Sequence, residues 1–300
     1  MELSNMFSLP SIRFAAFTAF LLSLNAVVKT DAAGAWGDPH FTGWDSVHFD
    51  FTGEPGSIYC MLSDPNLHIN MQMDGRMIEN SNETRTWIKS LGVLFGNHRI
   101  ILSALSGDDL SHSQTFMGEI SADGDQVHLP INRMYNSADG RVSLSYDKKI
   151  EHAVMPHDTY TLSLKGAARM RITVSPEIPD MREEGDAFFH LSFEFLEADL
   201  SPSVHGVLGQ THLNSMGRLQ KNSYKMIWNR RLLVQQVEGP NGDGYLDGSS
   251  SDYVSSDLLH SDCSFSRFDS NFESNNPRIV EVLSGYNRKV YPGGFHDLHF

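Results

Sequence analysis

The sequence of 300 residues predicts an all-β fold: an antiparallel sandwich or barrel with few or no long helices. Three observations point there. Apolar residues recur at every second position through most of the chain, the period expected when one face of a strand is buried and the other is wet. The breaks between these runs carry Gly, Asp, Asn or Ser, which form turns. No long stretch sustains a 3.6-residue apolar period, and many short strands without intervening helices assemble into sandwiches or barrels.

Taken in order, the chain begins with a targeting signal. Arg13 precedes the apolar run Phe14–Val28, which is followed by Lys29, Thr30, Asp31 and the small pair Ala32-Ala33. A membrane span needs about 20 apolar residues, whereas this run is shorter and is interrupted by Asn25. Residues 1–33 are therefore expected to be a secretory signal peptide cleaved near Ala32 or Ala33, the alternative being an uncleaved anchor. Strands are expected at Val47–Phe51, Ile58–Leu62, Leu67–Met73, Trp87–Phe95, Arg99–Leu102, Val142–Tyr146, Tyr160–Leu164, Met170–Val174, Leu191–Phe195 and Tyr224–Trp228. In the third of these, Leu67, Ile69, Met71 and Met73 alternate with His68, Asn70 and Gln72, so the latter are expected on the wet face. Residues 34–268 form the β domain. Glu238–Asp252 is a Gly/Ser/Asp-rich connection within it, and 269–300 form a polar, aromatic tail in which Arg278–Leu283 could add one strand.

Charge and cysteine content exclude several classes. With 37 acidic against 23 basic residues the formal net charge is −14, and no five-residue basic run is present, so nucleic acid is not an expected partner. Two cysteines are too few for a disulfide-dense scaffold or a four-cysteine zinc module. In the oxidising compartment that a signal peptide specifies, a lone pair distant in sequence reads as a disulfide, Cys60 to Cys263. The sequon at Asn82, Asn-Glu-Thr84, marks a surface glycosylation site.

Catalytic signatures are missing. The sequence has no Gly-x-Ser-x-Gly elbow, His-Glu-x-x-His helix, phosphate-cradling glycine loop or Cys-x-x-Cys pair, and its 14 histidines are dispersed. Acidic neighbours such as Asp108-Asp109 and Glu183-Glu184 would point to opposite faces of a strand, a poor arrangement for a paired acid and base. Asn241, Asp243 and Asp247 offer oxygens of the kind calcium takes, but they do not follow the EF-hand pattern, and Gly and Asp in a turn need no metal. No cofactor is expected.

Five blocks in order resemble the plant root cap family, which is related to late embryogenesis abundant proteins. They are Asp38-Pro-His40 with its following Phe-Thr-Gly, Tyr59–Asn70, Thr86–Arg99, Val204–Thr211 and Ser261–Phe268. Both cysteines fall on cysteine positions of that pattern. Trp36-Gly-Asp-Pro-His40 is also similar to the opening signature of von Willebrand type D domains, and His205–Gln210 to a later Gly-Leu-x-Gly-Asn element of those domains. Asp38–Phe41 with Gly206–Gln210 resembles the C-terminal part of inter-alpha-trypsin inhibitor heavy chains. These resemblances imply an antiparallel β architecture with an extracellular interaction role. Type D domains are usually cysteine-rich, so two cysteines argue against disulfide-linked multimers.

Asp38-Pro39 is the one expected place for covalent chemistry. The aspartate carboxyl can attack its own carbonyl while the proline amide leaves. By resemblance, Asp38 would be the electrophile for self-cleavage or for an ester to a glycosaminoglycan, with His40 as proton donor. The competing account is structural: Asp38 caps a turn and Pro39 fixes its φ, while Trp36 and Phe41 pack in the core.

The expected function is that of a secreted, non-enzymatic protein of the cell wall or apoplast, binding a wall polysaccharide or another extracellular protein, with no membrane contact in its mature form. The alternative is an enzyme on wall polymers, which needs two carboxyl groups facing across a cleft. Because histidine titrates near pH 6.5 and the apoplast is acidic, the negative charge is expected to be largely offset near pH 5.

Overall fold

A computed structural model of the chain describes residues 33–37, 40–44, 46, 48–77, 84–107, 113, 115–147, 157–176, 186–194, 200–201, 204–212, 246 and 249–268. These form one antiparallel sheet that curls into a half-barrel, and the all-β expectation is met. Its strands are β1 (Gly34–Trp36), β2 (His40–Thr42), β3 (His48–Asp50), β4 (Ile58–Asp64), β5 (Leu67–Met77), β6 (Thr84–Phe95), β7 (His98–Ala104) and β8 (Met117–Ala122). They continue as β9 (Asp125–Gln126), β10 (Met134–Asn136), β11 (Val142–Asp147), β12 (Asp158–Leu164), β13 (Ala168–Pro176), β14 (Ala187–Glu194) and β15 (Val254–Ser255), the last preceded by a 3₁₀ turn, Ser250–Tyr253. Among the described residues, no helix is long and apolar enough to cross a membrane.

Every strand expected within the described residues overlaps an observed one. The short strands β1, β2, β8, β9, β10 and β15 were not expected. The expected strands 224–228 and 278–283, and the signal segment 1–32, lie outside the described residues.

The sheet runs β10-β11-β12-β13-β14-β6-β5-β4-β15 and branches twice. β6 pairs with β14 at Ile88 and then with β7 from Ser90 to Phe95. β14 pairs with β6 at Phe189, then with β1 at Leu191 and Ser192, and β1 continues into the β1-β2-β3 meander. Each branch exchanges one neighbour for another along a single strand, which lets the sheet turn a corner. Inside the curl, alternate residues such as Leu144, Leu162, Met170, Ile172, Phe189 and Phe193 join one continuous core with Phe41, Phe51, Tyr59, Leu91 and Tyr253. Full burial of each such side chain contributes about 1.5–3 kcal/mol.

The centre of the sheet is covered on its outer side as well. β4, the first half of β5 and β6 are buried on both faces: residues 257–268 lie across their outer side, and residues 204–208 pair with the free edge of β4. A bulge between Cys60 and Leu62 frees two carbonyls of β4, and these accept from Val207 N (3.0 Å) and Leu208 N (2.8 Å). The approach needs Gly206, at φ +100°, where a Cβ would lie 2.7 Å from the Met61 carbonyl oxygen. Gly92 permits the crossing itself: a Cβ there would lie 2.0 Å from the Leu258 carbonyl oxygen.

Candidate functional site

Two places concentrate chemistry, one exposed and one buried. The exposed one is the outer face of the meander. Register pairs Trp36 with His40, Thr42 with His48 and His40 with Asp50, so these five side chains share one face, while Ala35, Phe41 and Phe49 point into the core. Phe41 packs as expected, stacked on Phe49 at 5.5 Å. Trp36 does not: it is 41% exposed, because its position in the pleat is opposite to that of the buried Ala35. Its indole meets the His48 ring edge-on at 5.7 Å. His40 Nδ1 lies 2.6 Å from Asp50 Oδ1, and His48 Nδ1 lies 2.7 Å from Thr42 Oγ1. The turn after β1 is tied to β14, where Gly37 N donates to His190 Nδ1 at 3.1 Å.

Asp38 and Pro39 lie outside the described residues, as do Asn82, Asn241, Asp243 and Asp247. Of the Asp-Pro-His element only His40 is described, with its imidazole engaged by Asp50 rather than standing free. Of the other tryptophans, Trp87 is buried, and Trp44 packs against Phe193 and His212 with its backbone N donating to Thr211 Oγ1. Trp228 is outside the described residues.

The buried place lies between the sheet centre and its cover. β4 and β5 present Cys60, Ser63, His68 and Asn70 to the outer side, and residues 255–268 close over them with Cys263, Ser266 and Arg267. His68 and Asn70 are fully buried, not wet as the alternation predicts. The reason is the second layer, which no local period reveals. Cys60 and Cys263 do come together from opposite ends of the domain, yet both are free thiols, so the expected disulfide is not formed. They sit as hydrogen-bond neighbours instead of at the about 2.05 Å of an S–S bond. The sulfurs and an imidazole nitrogen of His68 all lie within 4.8 Å of one another.

The polar groups here are tightly matched. The Asn70 amide nitrogen faces four oxygens: Ser255 Oγ at 3.3 Å and the carbonyls of Asp257 at 3.1 Å, Leu258 at 3.1 Å and His260 at 2.6 Å. Its Oδ1 lies 2.7 Å from His68 Nε2. Ser63 Oγ accepts the backbone N–H groups of Arg267 and Phe268. Burial pushes the His68 imidazole down to about 4, outweighing the opposing pull of Asn70 and His260. Burial raises the Cys60 thiol well above its ordinary value; the neighbouring Cys263 adds to this and Arg267 works against it. Nearby, His205 stacks on Phe265 at 4.4 Å and is held well below its ordinary value by burial, then by Arg267.

These buried histidines correct the expected charge balance. His68, His205 and His190 all have lowered values, first through burial, and so resist protonation in mild acid. Fewer than 14 imidazoles are left to offset the net charge of −14 near pH 5.

Four of the five blocks singled out in the sequence meet at this place. Tyr59–Asn70 supplies β4 and the start of β5, Thr86–Arg99 supplies β6, Val204–Thr211 borders the edge of β4, and Ser261–Phe268 belongs to the cover. What the sequence did not show was the role of His68 and Asn70, two polar residues at the end of the Tyr59–Asn70 block. Neither a family model nor a curated protein matches the chain.

Proposed function

We propose that this protein is secreted to the plant cell wall or apoplast and acts there as a non-enzymatic binding protein, with the outer face of the β1-β2-β3 meander taking a wall polysaccharide. The observation that carries the reading is the exposed Trp36 indole, set beside His40, His48 and Asp50 on one face. A pyranose ring presents an apolar face of C–H groups and a rim of hydroxyls. An indole held edge-on by His48 offers a flat apolar surface at small entropic cost, since tryptophan has two rotatable side-chain bonds. Imidazole and carboxylate groups around it can donate to and accept from hydroxyls. The apolar N-terminal run supports secretion, and the blocks resembling the root cap family support a wall location.

The test is a panel of immobilised wall polymers, comprising cellulose, xyloglucan, mannan and pectin, probed with the chain from Ala33 onward at pH 5.5. Retention on at least one polymer is expected. Trp36→Ala should weaken it by about 10-fold or more, the size of a hot-spot truncation. Failure of every polymer to retain the protein would remove the reading, and retention unaffected by Trp36→Ala would move the site elsewhere.

A further inference from the structure

We propose that Cys60, His68 and Cys263 form a buried two-thiolate, one-imidazole site for a soft d10 metal ion, with monovalent copper as its occupant. The three donors come from β4, β5 and the covering segment, and converge within 4.8 Å. Donors bound at about 2.0–2.3 Å from one ion stand roughly 4 Å apart, so the cluster already has the span of a ligand set.

The hydrogen bonds fix which histidine nitrogen is available. Carbonyl oxygens only accept, so the side of Asn70 facing Asp257, Leu258 and His260 must be its amide nitrogen. Its oxygen therefore faces His68, and Nε2 carries the proton it accepts. Nδ1 is left with the lone pair. The opposite side leads to the same assignment. Ser63 Oγ already accepts two backbone N–H groups, so its own hydrogen goes to Ser266 Oγ at 3.3 Å. Ser266 then has its hydrogen to offer His68 Nδ1 at 3.4 Å, a distance at which little hydrogen bond remains. The fully buried imidazole beside the two thiols thus keeps one basic nitrogen with only a weak protein donor. A disulfide would leave it in that condition, whereas a metal ion would use its lone pair. Asn70 would then be the outer group that orients a ligating histidine, as metal sites require.

Donor softness and coordination number select the ion. Two thiolates and one imidazole are the three donors among the described residues, a set that three-coordinate copper(I) accepts. Structural zinc calls for four ligands, one more than this group offers among the described residues. Thiolate softness favours copper(I). Binding forms two Cu–S bonds and one Cu–N bond and releases both thiol protons to solvent, with no change of oxidation state.

The two places share no residue, and because the site needs Cys60 and Cys263 as thiols, it is loaded on the reduced chain, before the oxidising compartment that the polysaccharide reading assigns. The test titrates the full chain, reduced and free of oxygen, with copper(I) supplied from its bicinchoninate complex, and in parallel with Zn²⁺. One copper per chain is expected, with near-ultraviolet thiolate-to-metal absorption and protection of both cysteines from alkylation. Cys60→Ser and Cys263→Ser should abolish retention, and His68→Gln should weaken it about 10- to 100-fold. Should a variant fail to fold, alkylation of the wild-type chain with and without copper still decides the matter. Unprotected cysteines, a Cys60–Cys263 disulfide that persists as the only bound state, or zinc taken in place of copper would each overturn the proposal.

Discussion

The wing of the sheet, β11 to β13, and its centre, β4 to β6, use the same antiparallel pairing for different ends. In the wing only one face is fully buried. Leu144, Leu162, Met170 and Ile172 enter the core, while the residues between them, such as Ser145, Thr161 and Ser163, stay partly exposed. In the centre both faces are covered, and the outer one holds polar groups. A buried polar group without a partner costs about 1–3 kcal/mol, so the cover can exist only where its polar atoms match those beneath. Asn70 performs most of this matching, with one amide nitrogen facing four oxygens of the cover. The comparison shows what the cover adds: the outer side of the wing meets water, whereas polar groups under the second layer are immobilised and dry.

The sharpest way to break this comparison is Gly92→Ala set against Gly166→Ala. At Gly92 a methyl group meets the Leu258 carbonyl oxygen at 2.0 Å, a backbone atom that cannot rotate away. The cover must lift, and we expect a loss of about 3 kcal/mol or more, or roughly 10 °C in Tm, with faster alkylation of Cys60 and Cys263. At Gly166, φ is +74° and no atom lies within 4 Å of the added group, so only the left-handed backbone penalty applies, about 1 kcal/mol. Equal losses in thermal unfolding would show that the cover contributes nothing to the stability of the centre.

Next in size is Asn70→Ala, expected to cost about 2–3 kcal/mol in denaturant titration because it strands buried carbonyls and the His68 N–H together. Its counterpart in the wing, Thr161→Ala, should stay within about 0.5 kcal/mol of the parent, because Thr161 reaches solvent. A small effect at Asn70 would mean that water enters beneath the cover and replaces the amide.

The same contrast explains how far the sequence could be read. In the wing, Val142-Ser-Leu-Ser-Tyr146 alternates as one-sided burial demands, so its strand and its core residues follow from pattern alone. In β5 the alternation of Leu67, Ile69 and Met71 with His68 and Asn70 yields the strand correctly and the environment of its polar face wrongly. Period two records one buried face and cannot record a cover drawn from residues about 190 positions away, the separation of Asn70 from His260. The juxtaposition of Cys60 and Cys263 was legible because two cysteines leave one possible pair. The third member, His68, was not, since 14 dispersed histidines offer no local spacing that distinguishes it. Trp36, expected in the core, failed for a local reason: the pleat of a three-residue strand set it outward beside the buried Ala35.

A second histidine sharpens the comparison at its surface end. His68 is held neutral by burial, whereas His98 at the start of β7 places Nδ1 at 2.8 Å from Asp123 and Nε2 at 3.0 Å from Asp139. Contact of both ring nitrogens with carboxylates suits the doubly protonated imidazolium, and the bond to Asp123 leads in raising the His98 value. Asp139 is lowered by its bonds from Ser137 and Arg141 and then by His98. Asp123 is also lowered: its partial burial opposes this, but the Arg99 N–H and His98 outweigh it. A raised histidine stabilises fully below its unfolded value, near 6.5, and that contribution fades as pH rises through the folded value. Lowered aspartates stabilise above their unfolded values, near 3.8, and that contribution is lost as pH falls. The cluster therefore contributes most between about pH 4 and 6.5, the range of an acidic compartment. His98→Gln should lower Tm by only a degree or two at pH 5.5, as expected of an ion pair near the surface, with the gap narrowing toward pH 9. A gap that is constant across this range would mean that His98 acts by packing and not by charge.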